Sequence, residues 1–394
     1  MAVFNKADIL LPNTDMEKWS VVACDQFTSQ PEYWAETEKI AGDAPSTLNL
    51  VFPEVYLSEG KGRIDKINKT MQEYLEKGLF TEYKNSLIYI ERTVAGKVRQ
   101  GLIGAVDLEA YDFTKGAKSA IRATEGTVME RIPPRVEIRR DAPLELPHVM
   151  LLVDDLEKTI IEPLKGAEKT PLYDFELMQK GGHLAGWLLS DKSADDALSA
   201  IAELEKTAPD GLLFAVGDGN HSLATAKTCW DELKKTLSAE EQKTHPARYC
   251  LVELVNIHSD ALVFEPIHRV VFDCDAKELI NKLKTECGGT GHTVTVVTAD
   301  GTEEISLSAE LSKLAVGVLQ NFLDKEKAEV DYIHGDDVCC ELGKKDGNAG
   351  FLLPKPDKSD LFKSVIKDGA LPRKTFSMGD ANEKRYYTEA KRIK

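Results

Sequence analysis

The chain has 394 residues, 42% hydrophobic and 29% charged, the composition of an ordinary soluble protein long enough for two or three domains. Fifty Lys and Arg against 66 Asp and Glu give a formal net charge of -16, which repels polyanions and argues against nucleic acid as a partner. No apolar run approaches the ~20 residues of a membrane span, and the start MAVFNKADILLPNTDMEKWS lacks a signal or transit pattern, so a cytoplasmic protein without membrane partners is expected. Seven scattered cysteines with no CxxC pair fit reduced thiols in that compartment.

The first segment runs from a strand-like ILLP through a polar, aromatic loop into a helix beginning near Pro31. That loop holds Asp25-Gln26-Phe27-Thr28-Ser29, polar where a strand should end, after a Cys24 that reads as a small buried hydrophobe. Ile64, Ile67, Met71 and Leu75 fall at helical spacing within roughly residues 62–77. LIYIERTVAGKVRQGLIGAVDL then reads as a hairpin turning at Ala95 and Gly96, closing an N-terminal α/β region, residues 1–115.

A central region, residues 116–272, opens with a local basic exception: Arg122, Arg131, Arg135, Arg139 and Arg140. HVMLLVDD predicts a strand over 148–155, its terminal Asp154 and Asp155 suited either to magnesium or to capping. A second hairpin turns around Gly181 and Gly182, and a helix follows over about 193–206. GLLFAVGDGNHSLATAKTCWDELKKTL is an apolar strand, a glycine loop and a helix. ARYCLVELVNIHSDALVFEPIHRVVF suggests paired strands. The C-terminal region, residues 273–394, alternates helices near 276–286 and 308–327 with strands near 293–298, 329–334 and 350–353, and Cys339-Cys340 reads as strand. The class expected is mixed α/β (α+β), a central mixed sheet with flanking helices.

The loop Gly217-Asp218-Gly219-Asn220-His221-Ser222 has the parts of a phosphate site, since glycines admit close approach and a helix start offers unpaired amides. Asp218 suits a metal and His221 a phosphoryl oxygen; a plain turn with Asn220 or Ser222 as cap is the bland reading. Arg122, Thr124, Glu125, Thr127, Arg131 and Arg135 gather guanidinium groups and hydroxyls near one carboxylate, as transfer to an alcohol requires, or else form a solvated loop. Arg373 and Lys374 form a further basic cluster, fit to close over a phosphorylated ligand or to lie in solvent. No zinc spacing and no GxSxG elbow occurs.

WSVVACDQFTSQPEYW, ELPHVMLLVDD, LYDFELMQKGGH, GDGNHSLATAK, HPARYCLVELVNIH, FEPIHRVVF and LPRKTFSMGDANEKRYY resemble the recurrent blocks of the bacterial and archaeal domain-of-unknown-function family 1015, over nearly the full length. More distantly, the strand, Asp-Gly-x-His loop and helix at Asp218 to His221 is similar to the Asp-Gly-x-His-Arg element of the ParB and sulfiredoxin-like superfamily, whose nucleotide-binding members include free serine kinases. That resemblance implies a ParB/sulfiredoxin-like nucleotide-binding core, with Asp218, Gly219, Asn220 and His221 as phosphate or metal contacts. Ser222 stands where the superfamily has arginine, which implies a different donor, such as pyrophosphate or a nucleoside diphosphate, or charge supplied by Arg122 or Arg131. Members of the first family also tend to be encoded near the phosphorylated pathway of serine synthesis, which implies a small phosphorylated metabolite as substrate.

The expectation is therefore a phosphoryl-transfer enzyme acting on serine or phosphoserine, serine kinase-like and run in either direction, with Mg2+ and ADP/ATP or pyrophosphate. Glu125 takes the hydroxyl proton, Asp218 and His221 stabilise the transferring group, with Asp218 as metal ligand, and Arg122, Arg131, Arg135 and Lys374 bind anionic oxygens. A phosphoserine phosphatase and a non-catalytic nucleotide or metabolite sensor are the alternatives.

Overall fold

The computed structural model describes residues 2–126, 132–372 and 374–394. They form two compact units: the first from residues 2–123, 132–262 and 380–394, the second from 124–126, 263–372 and 374–379. The class is mixed α/β, as the alternation of helical and strand periods implies. Where the sequence suggested limits at 115 and 272, the chain joins its first two regions in one sheet, because the hairpin Ile88–Val94 and Lys97–Asp107 pairs with Tyr249–Asn256. Its last residues return to the same unit.

The first unit is built on a ten-stranded mixed sheet. Its path runs Lys169–Leu177, Gly182–Leu189, Ile88–Val94, Lys97–Asp107, Tyr249–Asn256, Met150–Val153, Phe214–Asp218, Ile121–Arg122 and Tyr111–Asp112, with Phe4–Asn5 added beside Lys97–Asp107. Both hairpins form as expected, and the Ala95-Gly96 turn has positive φ at both positions, 50° and 74°. Met150–Val153 is a continuous apolar run, and in Tyr249–Asn256 every residue after Tyr249 is buried, because both faces of the sheet are covered. On one face Leu151, Val153, Val216 and Leu254 pack with helix Asp191–Thr207 through Ala194 and Ile201, and with helix Asn220–Leu233 through Leu223 and Trp230. On the other, Ile88, Ile90, Ile103 and Leu251 pack with Val21, Trp34, Tyr386 and Tyr387. Pro31 opens helix Pro31–Ala41 at its first position, where its missing N–H is not needed.

The C-terminal segment is strapped across this second face. Tyr386–Tyr387 pairs antiparallel with Val21–Val22, and Lys391–Arg392 with Leu144–Glu145. A buried ionic network holds it down: Arg99 Nε donates to Glu253 Oε1 at 3.1 Å, and Arg385 Nε to Glu253 Oε2 at 2.9 Å. Arg385 also pairs with Glu389, which accepts from the Tyr173 hydroxyl, while Arg92 donates to the carbonyls of Asn382 and Lys384, both at 2.8 Å.

The second unit is a six-stranded antiparallel sheet, in the order Gly301–Ser308, Gly291–Thr298, Ala349–Leu352, Phe264–Val271 and Val330–His334, with Phe376–Met378 also on Phe264–Val271. Three sequence expectations are corrected here. Tyr249–Asn256 and Phe264–Val271 are strands but not partners: they belong to different sheets, each paired with a strand on both edges within its own. The helix expected over 308–327 is Ala315–Glu326, preceded by the strand Gly301–Ser308, whose alternating polar face hid it. Cys339 and Cys340 lie on helix Asp336–Gly343, Cys339 facing the core.

Candidate functional site

Strand Phe214–Asp218 ends at Gly219, and helix Asn220–Leu233 begins there with Gly219 as its N-cap. Gly219 has φ 81°, and a Cβ on it would stand 3.0 Å from Val149 Cα, so glycine alone fits. The helix start carries no side-chain cap hydrogen bond, and the positive end of its dipole favours an anion. Gly217 serves packing instead: its Cβ would meet Leu152 Cγ at 2.8 Å. Replacing Gly219 by alanine is expected to cost about 1–2 kcal/mol from the left-handed backbone alone, read as a lower denaturation midpoint.

Asp218 Oδ1 accepts the Gly219 N–H at 3.1 Å, and Oδ2 lies 3.7 Å from Lys384 Nζ, on the C-terminal strap. Ser222, in the first turn of the helix, places Oγ 3.3 Å from His148 Nε2. His148 is buried, and its other nitrogen, Nδ1, lies 2.8 Å from the Tyr387 hydroxyl. That hydroxyl already accepts the Cys24 N–H at 3.2 Å. The arrangement that leaves no buried hydrogen unmatched has Tyr387 donating to Nδ1, which puts the imidazole proton on Nε2. Burial pushes the Tyr387 hydroxyl well above its ordinary value, aided by Cys24 and Asp25, so it stays a donor. His148 therefore presents an N–H toward the helix start and is no base toward Ser222.

Asp25 Oδ2 lies 3.8 Å from the same Nε2. Burial works to raise the Asp25 carboxyl, but His148, the Gln26 amide, Arg135 and Lys384 outweigh it and hold it below the usual carboxylate range. Arg135 pairs with Glu54. Burial pushes the Cys24 thiol up to about 12, which keeps it a protonated thiol.

Of the residues singled out in the sequence, Asp218, Gly219, Asn220, His221, Ser222 and Arg135 belong to the first unit, with Asn220, His221 and Ser222 forming the first turn of the helix. Arg122 is in that unit too, but its guanidinium is taken by Asp210 and the Ser119 carbonyl, at 2.9 Å each, so its expected role on substrate oxygens gives way to a structural one. Thr124, Glu125 and Lys374 belong to the second unit. There the Thr124 carbonyl accepts the Leu371 N–H at 2.7 Å, the charge of Glu125 supports the buried Arg269 guanidinium, and the Lys374 side chain is exposed. Thr127, Arg131 and Arg373 lie outside the described residues. Asp155 caps its own loop, accepting the N–H groups of Thr159 and Ile160 at 2.7 and 2.8 Å, while Asp154 pairs with His258 at 2.7 Å, so capping accounts for the first carboxylate and an ion pair for the second.

Sequence reasoning missed Asp25, His148, Lys384 and Tyr387 as site residues. All four lie in blocks that carried the family resemblance, within the stretches ACDQ, ELPHV and EKRYY, and that was the available signal. Among the described residues, no three His, Cys, Asp or Glu side chains gather as a metal site, and no helix is long and apolar enough to cross a membrane.

A family model described as Protein of unknown function (DUF1015) matches residues 6–384. No curated protein is similar enough to match the chain. Among solved structures, SbnI with a C-terminal truncation, from Staphylococcus aureus, aligns with a TM-score of 0.35 and 11% identity, over 70% of this chain and 83% of its own. A free serine kinase mutant in complex with ADP aligns with a TM-score of 0.39 and 12% identity, over 77% of this chain and 95% of its own. A conserved hypothetical protein from Pyrococcus furiosus aligns with a TM-score of 0.34 and 12% identity, over 73% and 93%. Likeness of this degree carries no argument about what the chain binds or does.

Proposed function

The chain belongs to the DUF1015 family, and from the residues gathered at the Gly219 turn we propose that it is a phosphoryl-transfer enzyme acting on serine or phosphoserine, serine kinase-like and able to run in either direction. The observation that carries the reading is the uncapped helix start at Gly219 with the His148 N–H fixed beside it by Tyr387. Serine is the first acceptor to test because the loop Asp218 to His221 resembles that of free serine kinases.

In this reading the amides of Asn220, His221 and Ser222 hold phosphoryl oxygens, and the Lys384 ammonium adds positive charge beside them. His148 donates its Nε2 N–H in a hydrogen bond to an oxygen that gains charge during transfer. Magnesium in such enzymes is held by one or two carboxylates plus substrate oxygens, which Asp218 fits, and the ion would neutralise charge on the phosphates. Glu125, in the second unit, is tested by itself as the base for the hydroxyl: Glu125→Gln with full turnover removes it from the reaction.

Phosphorus NMR of the purified protein with phosphoserine and magnesium, then with ADP or inorganic phosphate added, tests the whole reading. New ATP or pyrophosphate establishes reversible transfer and names the donor. Free phosphate without an acceptor makes it a phosphatase. No change over hours by folded protein overturns transfer and leaves a binding protein, the sensor reading.

A further inference from the structure

A cavity of ≈ 440 Å³ in the first unit is lined by residues that include His148, Ser222 and Tyr387 at one end and Leu50, Phe52 and Leu144 elsewhere. At about 30 Å³ per water it has room for about fifteen water volumes, several times what a serine-sized ligand displaces. Its charged wall groups are matched among themselves. Arg139 donates to Glu145 at 2.5 Å, the other Glu145 oxygen accepts the Leu251 N–H at 2.8 Å, and Arg135 pairs with Glu54. Burial works to raise the Glu145 carboxyl, and Arg139 and Lys391 outweigh it, so the ion pair persists. Burial, reinforced by the Glu145 charge, keeps the Cys250 thiol protonated and uncharged. A second charge on a ligand, or a run of hydroxyls, would meet aliphatic wall and groups already paired. The donors that face an anion, the His148 N–H and the helix start, stand at one end.

We propose that this cavity receives the uncharged apolar body of an organic phosphate, aromatic or branched aliphatic, whose charged end lies at His148 and Ser222. The placement of the charged end rests on the anion site argued above; the apolar body rests on the cavity alone. Phosphoryl transfer and the anion site are thus kept, but a larger, apolar acceptor replaces free serine, and the nucleotide's place is left outside this cavity.

The test is calorimetric titration of the full chain with naphthyl phosphate, AMP and inorganic phosphate, repeated with Ala142→Phe and the milder Ala142→Leu, which fill the cavity from its wall. Naphthyl phosphate is expected to bind roughly tenfold or more tighter than inorganic phosphate, the return on burying its rings. Ala142→Phe, or Ala142→Leu if the first does not fold, is expected to bring the two within about twofold while leaving inorganic phosphate affinity unchanged. Equal affinities in the wild type, tighter AMP, or a difference that survives cavity filling overturns the inference. If neither phosphate binds, naphthol binding that is lost in the filled variants keeps the cavity and sinks the anion site. Failure of naphthol as well overturns both.

Discussion

His148→Ala is expected to slow phosphoryl transfer roughly 10²–10⁴-fold while leaving the fold intact, the range seen when a positioned proton donor is removed. The nitrogen that carries the proton decides the effect. Tyr387, holding Nδ1 at 2.8 Å while accepting the Cys24 N–H, commits the proton to Nε2, the nitrogen that faces Ser222 and Asp25. Tyr387→Phe removes that commitment without removing the ring, so an intermediate loss is expected, and in the double variant the two losses should not add, because both act through one imidazole. Steady-state rates of the three variants check this. Wild-type turnover in His148→Ala would leave the helix start as a binding site only.

Arg385→Leu is expected to cost about 3–5 kcal/mol of stability, the largest effect of any single substitution considered. Arg385 and Glu253 are 4% and 1% exposed, and Glu253 accepts from both Arg385 and Arg99. Removing one guanidinium leaves Glu253 and Glu389 buried with charge that their remaining partners do not balance. The segment that carries Lys384 and Tyr387 would loosen with it, so anion binding should fall together with stability. Urea unfolding of the variant measures the first and phosphate titration the second; an unchanged midpoint would show that the network adds nothing.

The same network sets a pH dependence. Burial works to raise the Glu253 carboxyl, and Arg99, Arg385 and Arg92 outweigh it and hold it below the usual range. Its folded value thus lies below its unfolded value of about 4.3. The stability it contributes is complete above that pH and is lost as pH falls through the folded value. Acid unfolding should therefore begin below about pH 4.3 in the wild type.

Much of the architecture was legible along the chain because it is written in local signals. Pro31 marks a helix start, Ala95-Gly96 a hairpin turn, and Ile64, Ile67 and Met71 the buried stripe of helix Gly60–Glu76. The pairing of Tyr249–Asn256 was not legible, since an apolar strand does not say which apolar strand it joins. Cys339 and Cys340 were misread because so short a segment has no period long enough to separate strand from helix.

By itself the sequence determined the mixed α/β class, the family, and the glycine loop at Asp218 to Ser222, because composition, periodicity and a positive-φ glycine act within a few residues of one another. Only the tertiary structure decided what stands around that loop. It brought His148 from a strand start, Asp25 from an N-terminal loop, and Lys384 and Tyr387 from a strap at the far end of the chain, and it drew Arg122 away to Asp210. Charge and hydrogen bonding act through space at a few ångströms, so which donor meets which acceptor is fixed by packing over separations of hundreds of residues, which no spacing along the chain encodes.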